Sequence, residues 1–180
     1  MTFITQVLNG LQLGSIYALV ALGYTMVYGI ILLLNFAHGD IIMVGAYISW
    51  LVMSKLGLNP AIAVVLSIAG CMLLGVLIDK VAYAPLRDAP RLSILITAIG
   101  VSYFLENGSQ LLFGADAKVV PAYTSVSNIQ VGDLTLSFSA IVTVVVTAVA
   151  TVVLTFLVQK TKLGKAMRAV SEDMGAARLM

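Results

Sequence analysis

The sequence predicts an all-α fold: a polytopic transmembrane helix bundle of about five membrane segments, followed by a short helix in a basic tail. Hydrophobic residues make up 61% of the 180-residue chain and charged residues 10%, against about 45–50% and about 25% in ordinary globular domains. Charges are also missing over long stretches. None precedes Asp40, and residues 56–78 and 134–159 form uncharged runs of 23 and 26. A spanning helix needs about 20 apolar residues, because about 1.5 Å of rise each must cross about 30 Å of hydrocarbon.

The same composition excludes several classes. Ten basic and eight acidic side chains cannot cover the surface of a water-soluble domain, and mean hydropathy is +1.06. A cytosolic enzyme, a secreted domain, a nucleic-acid-binding module and a disordered segment are thereby set aside. The alternating pattern of barrel strands, each about 10 residues long, is absent. The N-terminus lacks the basic region of a cleavable signal, and its apolar stretch is too long for one. Cys71 is the single cysteine, so no intrachain disulfide forms.

Segment one is expected over residues 7–34 and segment two over 36–53, a nearly continuous apolar stretch interrupted by Asn35-Phe36-Ala37-His38-Gly39-Asp40. The pair is either two spans with a tight connection or a span followed by a broken or re-entrant element. Asn59-Pro60 reads as an N-cap with proline at the first helical position, opening segment three over 61–81. The polar connection 79–91 carries Pro85 and Pro90 as helix breakers. Segment four covers 92–113 and contains Glu106 and Asn107. The polar stretch 114–132 separates it from segment five, 134–158. Small residues recur at Gly10, Gly14, Ala18, Gly23, Gly45 and Ala46, which suits close helix packing.

Orientation follows from lysine and arginine, which favour the cytoplasmic side. The 79–91 connection and the 159–180 tail carry Lys80, Arg87, Arg91, Lys160, Lys162, Lys165, Arg168 and Arg178; the other side has Lys55 and Lys118. The tail is therefore expected in the cytoplasm and the N-terminus outside.

Three places hold candidate chemistry. Asn35 to Asp40 puts ionisable groups near membrane depth, where they face protein or water and where irregular backbone lines a cavity. It is either a pathway element, with Asn35, His38, Gly39 and Asp40 at a helix break, or an interfacial turn with Asp40 capping the second helix. Glu106-Asn107 is either a pathway group or an interfacial one. In the tail, Ser171 reads as an N-cap of a helix over 171–180, with Glu172 and Asp173 in its first turn. That helix either docks on a protein partner or lies on anionic lipid. Enzyme chemistry has little support: one His, one Cys, no metal-ligand cluster and no phosphate loop. A Ser15 or Ser93 pairing with His38 has no spacing to support it.

Four runs then carry a resemblance: Leu13-Gly14-Ser15-Ile16-Tyr17-Ala18-Leu19, Leu22-Gly23-Tyr24-Thr25-Met26-Val27-Tyr28-Gly29, Leu34 to Asp40, and Met43-Val44-Gly45-Ala46-Tyr47. They resemble the permease family of branched-chain amino acid ABC importers, most closely the first of that system's two permease subunits. The tail, through Gly164, Arg168, Glu172, Asp173, Ala176, Ala177 and Arg178, resembles the family's cytoplasmic coupling segment. Family members are longer, so residues 1–180 are expected to be the N-terminal part of a single transmembrane permease domain, with 159–180 its coupling segment.

The resemblance implies a transport subunit of a bacterial or archaeal inner membrane, not an enzyme. A periplasmic or extracellular substrate-binding protein would deliver the amino acid. A second permease subunit would complete the path, in contact with membrane lipid. Two ATP-binding cassette subunits would bind ATP and Mg; this subunit would hold no cofactor. The alternatives are a channel-like pore for a small solute, a permease for another amino acid, urea or an amide, and an intramembrane hydrolase using His38.

Overall fold

The computed structural model describes residues 2–31, 35–86, 89–121, 129–131, 134–136 and 138–172. In chain order the elements are α1 (Thr2–Ile31), α2 (His38–Trp50), α3 (Pro60–Ile78), α4 (Arg91–Phe113), β1 (Ile129–Val131), β2 (Leu134–Leu136), α5 (Phe138–Lys160) and α6 (Lys162–Glu172). A π-helical turn, Leu51–Lys55, extends α2. Another, Asp79–Tyr83, extends α3 and leads into a 3-10 turn, Ala84–Leu86. The fold is helical, as the composition requires.

Among the described residues, three helices are long and apolar enough to cross a membrane: Phe3–Gly29, Pro60–Leu86 and Phe138–Lys160. Of the two other expected segments, α2 has 13 residues before its π-helical turn. Helix α4 has 23 residues, but Glu106, Asn107 and Gln110 interrupt its apolar character.

The chain forms two compact units, one of residues 1–32 with 126–180 and the other of residues 33–125. In the first, α1 and α5 run parallel: Thr147 bonds the Ser15 carbonyl at 3.3 Å, and Leu22 and Gly29 line a common groove with Leu154 and Val158. Strands β1 and β2 pair antiparallel, with Gln130 opposite Thr135. This hairpin occupies residues 134–136, where the sequence suggested the start of segment five; α5 begins at Phe138 instead. The physical cause is the alternation Ile-Gln-Val and Leu-Thr-Leu on either side of Gly132-Asp133, a period-2 pattern around a two-residue turn signal.

In the second unit α2 and α3 are antiparallel neighbours. Ser49 and Ser67 share a hydrogen bond at 2.8 Å, Ser67 donates to the Gly45 carbonyl at 3.0 Å, and Cys71 reaches the Ile41 carbonyl at 3.4 Å. Small residues make the approach possible. A Cβ on Gly45 would stand 2.8 Å from Cys71 Sγ, and one on Gly70 would collide with Ile48. Gly10 and Gly14 on α1, read from sequence as packing residues, have nothing within 4 Å of that position. The α2–α3 connection turns at Gly57, whose φ of 61° is available to glycine at little cost. Asn59 caps α3 by accepting from the Ala61 N–H at 2.9 Å, with Pro60 at the first position. Helix α4 runs parallel to α2: its Phe113 stacks on Tyr47, with centroids 4.4 Å apart, and meets Trp50 edge-on at 6.3 Å.

Burial follows the pattern of a membrane protein. The buried apolar residues are Ala37, Val52, Ala63, Ile78 and Ala98, mostly small, and no large side chain is fully buried among the described residues. The large apolar side chains point outward instead; Leu73 is 73% exposed and Leu111 88%. In water this would be untenable, whereas hydrocarbon tails are as apolar as leucine.

Candidate functional site

The polar interruption of the first two segments is an irregular turn. Helix α1 ends at Ile31 and α2 begins at His38, and Asn35 to Ala37 are not helical. Asn35 organises this turn. Its Oδ1 accepts from the Ala37 N–H at 3.1 Å, and its carbonyl accepts from the His38 N–H at 3.2 Å. The same Oδ1 accepts the Tyr83 hydroxyl at 2.8 Å, so the turn is pinned to the π-helical end of α3. Ala37 beneath it is fully buried. Asp40, in the first turn of α2, accepts the Ser102 hydroxyl of α4 at 2.5 Å. It provides no cap: Ala37 occupies that position and makes no side-chain cap bond. His38 is half-buried and Gly39 exposed.

The position of this cluster follows from α4. Ser102 lies about 16 Å along that helix from Arg91, at about 1.5 Å per residue. The start of α2 therefore stands beside the middle of α4, not beside its end. A helix start, a carboxyl and an amide gather where an uninterrupted helix would present only side chains. The sequence pointed to Asn35, His38, Gly39 and Asp40. It gave no notice of Tyr83 and Ser102, the partners that hold two of them.

The tail differs from the expectation. A helix does form, but it is α6, Lys162–Glu172, starting nine residues before Ser171. Thr161 caps it: its Oγ1 accepts from the Gly164 N–H at 3.1 Å and donates to the Leu157 carbonyl. Ser171 sits in the last turn and donates to the Arg168 carbonyl at 2.8 Å, so it cannot cap. Gly164 is buried, and a Cβ there would run into the Leu157 and Val158 carbonyls, so it lets α6 press against the end of α5. Arg168 reaches the Gln159 carbonyl at 3.4 Å, and Glu172 is exposed. Asp173, Ala176, Ala177 and Arg178 lie outside the described residues, as does most of the helix expected over 171–180.

The other candidates are locally satisfied. Asn107 donates to the Tyr103 carbonyl at 2.7 Å on its own helix, and Glu106 is exposed. Ser15 donates to the Leu11 carbonyl at 2.8 Å. Among the described residues no group of His, Cys, Asp and Glu converges to hold a metal ion.

A sequence profile of the branched-chain amino acid transport system permease component matches residues 6–180. The chain belongs to that permease family. It is 37% identical over 99% of its length to the high-affinity branched-chain amino acid transport system permease protein BraD of Pseudomonas aeruginosa. To the permease proteins LivH of Salmonella typhimurium and Escherichia coli it is 38% and 39% identical, again over 99%. It spans 62% of the length of each of these curated relatives. No solved structure matches. Membership in a transport permease family accords with the outward-facing apolar helices: this permease is a membrane protein.

Proposed function

We propose that this chain is the N-terminal part of a membrane-spanning permease subunit of an ABC importer for branched-chain amino acids. The observation that carries the reading is the 37–39% identity, over 99% of the chain, to permease proteins named for that transport. The geometry supports it. The start of α2 beside the middle of α4 brings a helix N-terminus and a carboxyl together, and broken membrane helices place such groups at transport sites. Asn35, His38, Gly39 and Asp40 form part of the path.

The subunit itself performs no chemistry and holds no cofactor. ATP and Mg bind to two partner ATP-binding cassette subunits, a second permease subunit completes the path, and an external binding protein delivers the substrate. The tail lies in the cytoplasm of a bacterial or archaeal cell, and the N-terminus faces outward. The parallel course of α1 and α5 supports this, because it puts both C-terminal ends on the lysine-rich side. Residues 159–180 meet the ATPase, through Glu172, Asp173, Ala176, Ala177 and Arg178, with Gly164 seating α6 against α5. The test is uptake by the complete permease reconstituted with its partners. ATP-dependent accumulation of labelled leucine, outcompeted by isoleucine and valine but not by urea, is expected. Accumulation of urea or an amide in its place would refute the substrate; accumulation without ATP would refute the importer.

A further inference from the structure

We propose that the groove between α1, α5 and α6 binds an anionic phospholipid, with Arg168 on the phosphate. The groove has a volume of about 370 Å³. Leu22, Met26, Leu154 and Val158 line it from the two membrane helices, and Gln159 and Arg168 supply its amide and its charge. The polarity runs along the helix axes. Gln159 adjoins Lys160, the last residue of α5, while Leu154 lies about 9 Å further in at about 1.5 Å per residue. A ligand that fits has a charged end at the helix termini and an apolar body beside the spans.

Three observations favour lipid. Every lining residue is half-buried or exposed, so the groove is open. Its walls belong to Phe3–Gly29 and Phe138–Lys160, both able to cross a membrane, so its apolar flank suits acyl chains. Charge complementarity selects the headgroup: Arg168 is the charged residue of the lining, and Glu172 is the one carboxylate in α1, α5 and α6. Basic pockets between membrane helices are sites for anionic headgroups. Arg168 suits a phosphate because its guanidinium presents several N–H groups in a fixed fork. One nitrogen rests 3.4 Å from the Gln159 carbonyl, which holds the side chain near the end of α5 and leaves other N–H groups to donate. Within the tail this assigns Arg168 to lipid and leaves Lys162, Lys165 and Glu172 for a protein partner.

The proposal rests on α1 and α5 crossing the membrane, and not on transport or orientation. Its test is native mass spectrometry of the protein released from nanodiscs of phosphatidylcholine with a minor fraction of phosphatidylglycerol. Both leaflets then carry the anionic lipid, and no ATPase is needed. Selective retention of phosphatidylglycerol is expected, with no competition from soluble glycerol phosphate. Arg168→Gln should lower that retention roughly fivefold, as expected for one basic group at a lipid surface. Gly29→Phe should lower it without touching a charge, since a Cβ at Gly29 has nothing within 4 Å and its ring would enter the groove. Lys80→Gln, in the other unit, should leave it unchanged. Equal retention of both lipids, wild-type retention in both groove variants, or a lipid-free dimer in which a second copy covers the groove would overturn the proposal.

Discussion

Ser102 on α4 donates its hydroxyl to Oδ2 of Asp40, in the first turn of α2, at 2.5 Å. The bond ties the start of α2 to the middle of α4. Asp40→Ala removes the acceptor and Ser102→Ala the donor. A double-mutant cycle on thermal unfolding in detergent should give a coupling of about 1–2 kcal/mol, between the average of about 0.6 for bonds between membrane helices and about 1.5–3 for bonds to charged groups. A coupling indistinguishable from zero would mean that the contact does not hold α2.

Tyr83→Phe should loosen the Asn35 turn without disturbing α3, because it removes only the hydroxyl 2.8 Å from Asn35 Oδ1. Stability should fall by about 1 kcal/mol, the usual net value of one hydrogen bond. Asn35→Leu should do more harm, since it also deprives the Ala37 N–H of its acceptor. Amide hydrogen exchange at Ala37 and His38 distinguishes the two: modestly faster in the first variant, much faster in the second.

Gly45 and Gly70, where α2 meets α3, are not equivalent to Gly10 and Gly14 of α1. Gly70→Leu should destabilise by about 1–3 kcal/mol through overpacking, because its Cβ meets Ile48. Gly14→Leu, with nothing within 4 Å, should leave the melting temperature of the isolated chain nearly unchanged. Equal melting temperatures for both variants would contradict the α2–α3 contact.

Thr161→Ala removes the cap of α6 and should cost about 0.5–2 kcal/mol. Thr161→Ser should retain most of the stability, because the hydroxyl both caps Gly164 and bonds the Leu157 carbonyl. Gly164→Val should detach α6 from α5, since the added carbons would occupy the space of the Leu157 and Val158 carbonyls. Proteolysis between residues 160 and 172 should speed up in the order serine, alanine, valine.

Much of this was legible in the sequence because membrane helices are written in composition. The uncharged runs located α3 and α5 to within a few residues, and Asn59-Pro60 fixed the start of α3 through a purely local bond. The polar run at Asn35 stood out because such residues are costly at depth. What escaped was set by neighbours. Ser171 followed by Glu172 and Asp173 looks like a helix start, but Thr161 had already begun a helix that Gly164 lets pack against α5. Tyr83 and Ser102 belong to the site only because α3 and α4 bring them to Asn35 and Asp40. The β-hairpin did have a signal in Gly132-Asp133, overlooked beside the stronger apolar run that follows.

The importer reading is tested most directly by ATP hydrolysis in the complete permease reconstituted with its ATPase and binding-protein partners. With Glu172→Lys and Ala177→Arg in the tail, substrate-stimulated hydrolysis and leucine uptake should both collapse while the permease stays folded in the membrane. Undiminished stimulation and uptake in that variant would contradict the coupling role of residues 159–180.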